Sequence, residues 1–192
     1  MARTPSTMLA LGTAAPDFNL VEPASGKHYA LSDFSGKPLL VVFICNHCPY
    51  VIHLAAKLAE VAKANSEVAF VAINSNDAEN YPADAPENMA AFAQQYGFDF
   101  PYLFDATQAV AQRYQAACTP DFYLFSAEHT LVYRGQFDAA RPHNAIAPSG
   151  EDLQRAISQL LAGEAILTEQ SPSLGCNIKW RPGHEPAYFT HP

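Results

Sequence analysis

Two unbroken apolar runs organise this chain, Leu39-Leu40-Val41-Val42-Phe43-Ile44 and Val68-Ala69-Phe70-Val71-Ala72-Ile73. Neither shows the alternation of a half-exposed strand, and both are short for a helix. Such runs suit strands of a parallel sheet buried on both faces, with helices above and below. Between them Val51, Leu54, Leu58 and Val61 recur at helical spacing and form one apolar stripe. Pro49 fits the first turn of that helix, where a missing N–H costs nothing. Strand, helix, strand in that order implies a right-handed crossover and a parallel pair.

Upstream, Gly12–Leu20 reads as a polar turn feeding a short strand, and His28–Leu31 as its hairpin partner across Ser25-Gly26-Lys27. Downstream of Ile73 the pattern turns polar through Asn74-Ser75-Asn76-Asp77 and is broken by Pro82 and Pro86. A helix is expected from about Glu87 to Tyr96, stopping at Gly97. Tyr102–Phe104 reads as a short strand and Thr107–Gln115 as a short helix. Phe122–Phe125 and Leu131–Tyr133 flank the turn Ser126–Thr130 and should pair antiparallel. Ser149 is the expected N-cap of a last helix, Glu151–Leu161, ended by Gly163. The order is β-α-β, an extra helical segment, then β-β-α, which is the thioredoxin arrangement. The expected fold is therefore α/β: a thioredoxin fold with a central mixed sheet flanked by helices. It carries an N-terminal β extension, an inserted loop after the second core strand and a C-terminal tail. One domain is expected over residues 1–192, with a core of about 12–163 and the tail 164–192 packed on it.

Composition narrows the function. With 49% hydrophobic and 16% charged residues in 192, the chain reads as globular. A formal charge of −8 and the lack of a basic cluster argue against nucleic acid. No stretch approaches a membrane span, and Met1–Ser6 carries no apolar signal core, so a cytoplasmic protein is expected. In that compartment a disulfide is catalytic more often than structural.

The chemistry lies in Cys45-Asn46-His47-Cys48, at the junction of the first buried strand and its helix. Without that context the spacing is half of a zinc site; with it, the pair reads as a redox dithiol. Partial positive charge at a helix N-terminus stabilises a thiolate. Cys45 is expected to fall from ~8.5 toward roughly 7 or lower and to attack a partner disulfide, with Cys48 resolving the mixed disulfide. Asn46 and His47 would tune the poise, a neighbouring imidazole favouring the reduced form. Cys118-Thr119-Pro120 opens the strand at Phe122, where a thioredoxin fold places a cis proline facing the dithiol; Thr119 and Pro120 are expected to shape the active site.

These segments carry a resemblance. Ala15-Pro16-Asp17-Phe18, Phe43 through Val51, Asn74-Ser75-Asn76-Asp77, Cys118-Thr119-Pro120-Asp121-Phe122 and Gly175 through Trp180 resemble a peroxiredoxin-like branch of the thioredoxin superfamily. Such proteins are often named alkyl hydroperoxide reductase or thiol-specific antioxidant. The resemblance implies a thioredoxin fold and dithiol redox activity. The departures are specific. Peroxiredoxins carry Pro-x-x-x-Thr-x-x-Cys; aligned on Cys48, the threonine position is Cys45 and the proline position is Val41. The activating arginine expected near the cis proline is replaced by Ala116-Ala117-Cys118-Thr119-Pro120, and Leu39 stands where thioredoxins keep a buried acid. With that acid absent, His47 and water are the candidates for proton transfer at Cys48.

The leading expectation is a thiol-disulfide oxidoreductase with a reversible Cys45–Cys48 disulfide, needing no cofactor and no metal. Its partners would be protein or small-molecule disulfides and thiols, with peroxides as an alternative substrate of a weak peroxidase. A second alternative is a copper or zinc protein using both thiols with His47, His53 or Cys118. Cys118 and Cys176 are candidates for further redox thiols, weighed against simple burial. The loop Asn74–Pro86 lies at the carboxyl edge of the parallel strands, either as a partner-binding lip anchored by Tyr81 or as a solvated insertion. Neither oligomeric state nor electron donor is written in the sequence.

Overall fold

The computed structural model describes residues 3–189. In chain order the strands are β1 (Thr4–Pro5), β2 (Asn19–Val21), β3 (His28–Ala30), β4 (Leu39–Phe43), β5 (Ala69–Asn74) and β6 (Tyr102–Phe104). They continue as β7 (Cys118–Thr119), β8 (Asp121–Phe125), β9 (Leu131–Gly135) and β10 (Leu174–Asn177). The α-helices are α1 (Pro49–Ala64), α2 (Pro86–Tyr96), α3 (Ala109–Arg113) and α4 (Glu151–Ala162).

The main sheet runs β3-β2-β6-β5-β4-β8-β9. Strand β4 sits inside it, parallel to β5 with Leu39 opposite Ala69, and antiparallel to β8 with Leu39 opposite Phe125. The hairpins β2–β3 and β8–β9 are antiparallel, and β5 pairs β6 in parallel. This is the mixed, helix-flanked thioredoxin sheet with the expected N-terminal hairpin added beyond β6.

Residue alternation in β4 separates two cores. Leu40, Val42 and Ile44 face one cluster with Val51, Leu54 and Leu58 of α1, Met89 and Phe92 of α2, and Leu153 and Ile157 of α4. Leu39, Val41 and Phe43 face the other, with Leu9, Phe18, Tyr114, Ile178 and Trp180. Helices lie on both faces, as expected, but unequally: α1, α2 and α4 share one face. The short α3, the N-terminal segment and the tail close the other. The tail can do this because Ile178 and Trp180 are apolar and buried.

Helix ends follow the sequence with one correction. Gly97 and Gly163 cap α2 and α4 in the left-handed region. Ser149 is not the N-cap of α4; Gly150 is, at φ 71°. Asp138 decides this, its Oδ2 accepting the Ser149 and Gly150 N–H groups at 2.6 Å each. A Cβ on Gly150 would lie 2.6 Å from the Phe137 ring, so the tight approach also needs glycine.

The tail forms a second, three-stranded sheet, β1-β10-β7. Cys176 is registered opposite Thr119, and Asn177 opposite Cys118. The tail is thus laid against the strand that precedes Pro120.

Candidate active site

The chain leaves β4 after Phe43, passes Ile44, and reaches Cys45 at the carboxyl end of the strand. Helix α1 begins at Pro49 with Cys48 as its N-cap. The helix end therefore serves Cys48, not Cys45. The N–H of Val51 is turned toward the Cys48 sulfur without closing a full capping bond. Both cysteines are buried, Cys45 at 1% exposure and Cys48 at 0%. Access therefore does not separate the attacking and resolving roles in this conformation.

Thr119 joins the dithiol from the other side. Its peptide bond to Pro120 is cis, as expected. Its Oγ1 lies 3.5 Å from Cys45 Sγ, and its carbonyl accepts from the Cys48 thiol at 3.1 Å.

Ionisation is divided unequally. Hydrogen bonds from the Cys176 and Cys45 thiols, aided by the Val51 N–H and Thr119, hold Cys48 well below the ordinary thiol range against its burial. Cys45 is pushed well up, first by burial, then by its bond to Cys48 and the negative charge of Asp84. The expected low Cys45 pKa is thus corrected: the pair carries its first charge on Cys48, where the helix end and two thiol donors converge.

Asp84 is the residue that sequence reasoning missed. It lies in the single 3₁₀ turn Pro82–Asp84 of the inserted loop and is 0% exposed. Its Oδ1 accepts the Asn46 and His47 N–H groups at 2.8 and 3.2 Å. Its Oδ2 accepts from His47 Nδ1 at 2.6 Å and Asn76 Nδ2 at 2.7 Å. These bonds raise the His47 pKa against the opposing effect of its partial burial. Asp84 thereby favours the protonated ring, which stacks on Tyr81 with centroids 6.0 Å apart. Asn46 is fixed as well, donating to Ala83 O at 3.0 Å and accepting from Tyr102 Oη at 2.9 Å. Leu39 is core, as its apolar character requires, and the buried acid comes from the loop after β5 instead. The only available signal was the rule placing that loop at the sheet's carboxyl edge; it does not distinguish Asp84 from Asp77.

The loop itself is not a solvated insertion. Asn74, Ser75, Asn76, Asp77 and Asp84 are buried. Asn74 Nδ2 donates to Asp84 O at 2.8 Å, and Lys179 N donates to Asn76 Oδ1 at 2.9 Å, tying the loop to the tail. Tyr81 is its exposed side chain beside the site, at 39%.

The other cysteines separate. Cys176 joins the dithiol through its bond to Cys48. Cys118 is registered one residue away from Thr119 and so faces the opposite side of β7; its thiol donates to Pro120 O at 3.5 Å, and burial raises its pKa. His53 and Cys118 do not join the donor atoms at the site. Among the described residues, Cys45, His47 and Asp84 form the sole cluster whose ligand atoms lie within 4.8 Å of one another. That set fits a metal poorly, since the Asp84 carboxylate already accepts four N–H groups, one of them from His47 Nδ1.

Comparison with known proteins follows this geometry. The chain is similar to an uncharacterized conserved protein from Geobacillus kaustophilus, whose crystal structure superposes with a TM-score of 0.92 at 47% identity, covering 95% of this chain and 98% of that one. It is also similar to a secreted Mycobacterium tuberculosis disulfide oxidoreductase homologous to E. coli DsbE, with a TM-score of 0.59 at 25% identity over 74% of this chain and 96% of that one. Thiol-disulfide oxidoreductase ResA of Geobacillus kaustophilus is 27% identical over 124 residues, 63% of this chain and 66% of that protein. The AhpC/TSA family model matches residues 11–134, from the N-terminal extension through the dithiol to β9, and the chain belongs to that family.

Proposed function

We propose that this protein is a thiol-disulfide oxidoreductase working through a reversible Cys45–Cys48 disulfide. The observation that carries the reading is the pair of hydrogen-bonded thiols at the start of α1, both against Thr119 beside cis Pro120. Relatives named as disulfide oxidoreductases support it.

The roles follow from where charge is stable. When the oxidised protein meets a thiol, the partner's thiolate attacks Cys45 Sγ, the Cys45–Cys48 bond breaks, and Cys48 leaves as a stabilised thiolate. A low-pKa thiol is the better leaving group, which directs attack to Cys45. A second partner thiolate then releases the mixed disulfide and returns the electron pair to Cys45, which takes a proton. The reverse sequence reduces a disulfide. Stabilising the Cys48 thiolate favours the reduced form and so makes the couple more oxidising. Asp84 and His47 are positioning residues that fix the Asn46-His47 turn between the sulfurs. Because Cys45 is buried, entry to it requires a local opening of the site. The partners are protein or small-molecule thiols and disulfides, and the site needs no metal or cofactor for this exchange.

The test is an equilibrium redox titration of the wild type with the Cys45→Ser and Cys48→Ser variants. Each substitution should abolish the two-electron couple when made in a Cys176→Ser background, where no third thiol can replace the missing one; persistence of a couple in either variant on that background sinks the reading. Family membership favours one second reading, slow peroxide reduction as an antioxidant, with Cys45 and Val41 counting against efficiency. Stopped-flow peroxide consumption no faster than that of a free thiol would eliminate it. The cytoplasm is the proposed location, since the additional thiols Cys118 and Cys176 suit a reducing compartment; fractionation that finds the protein elsewhere overturns this.

A further inference from the structure

The tail delivers a third thiol to the dithiol. Paired residues of antiparallel strands share a face, and Cys176 is registered opposite Thr119. The Thr119 side chain points to Cys45 Sγ, so Cys176 emerges on that same side. Thr119 is the common neighbour: its hydroxyl meets Cys45, its carbonyl meets Cys48, and its backbone carries Cys176. Strand β10 is held closely. A Cβ on Gly175 would lie 2.0 Å from Thr119 O, Ile178 N donates to Ala117 O at 3.0 Å, and Ser6 N donates to Ser173 O at 2.9 Å. The three thiols at the site are all buried, with Cys48 hydrogen-bonded to both of the others.

We propose that Cys176 is a third redox thiol that exchanges with the Cys45–Cys48 disulfide to give a buried Cys48–Cys176 disulfide and a free Cys45. This rests on the dithiol reading above. Cys176 loses its proton, its sulfur attacks Cys48 Sγ, the Cys48–Cys176 bond forms and the Cys45–Cys48 bond breaks. Leaving-group pKa directs an outside thiolate to Cys45, but Cys176 is held beside Cys48, so position selects the sulfur it attacks; Cys45 leaves with the electron pair and takes up a proton. No net electrons move, so no further oxidant is needed. In the reduced protein Cys176 is held protonated chiefly by its bond to Cys48. Oxidation of Cys48 removes that acceptor and its charge, which lowers the barrier to ionising Cys176. The consequence is an oxidised protein that stores one disulfide in its interior while Cys45 remains able to bond a second partner.

Diamide oxidation followed by non-reducing peptide mapping tests this. In Cys45→Ser, and in Cys45→Ala as a check on folding, the expected product is an intramolecular Cys48–Cys176 disulfide, lost when Cys176→Ser is added. Recovery of Cys48 as an alkylatable thiol, in intermolecular disulfides, or bonded to Cys118 overturns the proposal. In the oxidised wild type a fraction of chains should retain an alkylatable Cys45, and Cys176→Ser should lose that fraction. Equal Cys45 alkylation in the two counts against the exchange. The dithiol reading is judged separately by the Cys45–Cys48 disulfide of Cys176→Ser: its presence with no Cys48–Cys176 product in Cys45→Ser defeats only the third thiol, and its absence defeats the parent reading.

Discussion

At the level of single residues, the division of labour within Cys45-Asn46-His47-Cys48 is set by groups that approach from elsewhere. Cys48 receives the helix end and the thiols of Cys176 and Cys45, so ultraviolet thiolate absorbance at neutral pH should disappear in Cys48→Ser and persist in Cys45→Ser. Retention of that absorbance by Cys48→Ser alone would return the charge to Cys45. The His47 pKa is raised, chiefly by its hydrogen bond to Asp84. The raised pKa means that the ion pair contributes stability fully below the unfolded value of about 6.5 and loses it as pH rises through the folded value. Asp84→Asn keeps an acceptor for the backbone N–H groups but removes the charge. His47 should then titrate lower, toward about 6.5, as read by its ring resonances in NMR; an unmoved titration would show that Asp84 is not its partner. The cysteines and their spacing were legible in sequence because the dithiol is local. Asp84 was not, because it meets His47 only after the loop following β5 has folded under the motif.

At the level of elements, two segments that composition presented as polar or proline-broken prove to be structural. The loop Asn74–Pro86 is buried along much of its length and is bonded to both the motif and the tail. Among its exposed residues, Tyr81 stacks on His47. Tyr81→Ala should therefore speed alkylation of reduced Cys45 several-fold, on the order of a one-kcal/mol lower opening cost for a lost aromatic contact. An unchanged rate would mean that access lies elsewhere. The tail strand β10 depends on Gly175, where any Cβ would strike the Thr119 carbonyl at 2.0 Å. Gly175→Ala should destabilise by roughly 1–3 kcal/mol, the usual cost of overpacking, measured by denaturant unfolding. Unchanged stability would show that β10 can shift freely on β7. Strand β10 was not foreseen because two-sheet pairing of a short segment such as Leu-Gly-Cys-Asn leaves no periodic trace.

Across the whole molecule, the fold buries charge at a cost that pH reveals. Asp121, just after Pro120, is fully buried; burial lifts its pKa to about 6 despite bonds from Ser6, the Ala117 N–H and Tyr123 Oη. A carboxyl raised in the folded state favours folding when protonated. Its contribution is complete below about 3.9 and is lost as pH rises toward about 6. A shift of that size is worth on the order of 3 kcal/mol between pH about 4 and about 7. Asp121→Asn should flatten this part of the stability profile in thermal melts across that window; a profile unchanged from wild type would remove Asp121 as its source. The sequence by itself determined the buried parallel pair, the hairpins, the glycine-capped helices and the redox-type cysteine spacing. All of these are written in local periodicity or in residues a few positions apart. Tertiary structure alone decided which sulfur carries the charge, that Asp84 would serve the motif from the loop, and that Cys176 would come to rest on Cys48. These depend on register and on distances between segments far apart in the chain, and burial gives each such contact an electrostatic weight that no local pattern encodes.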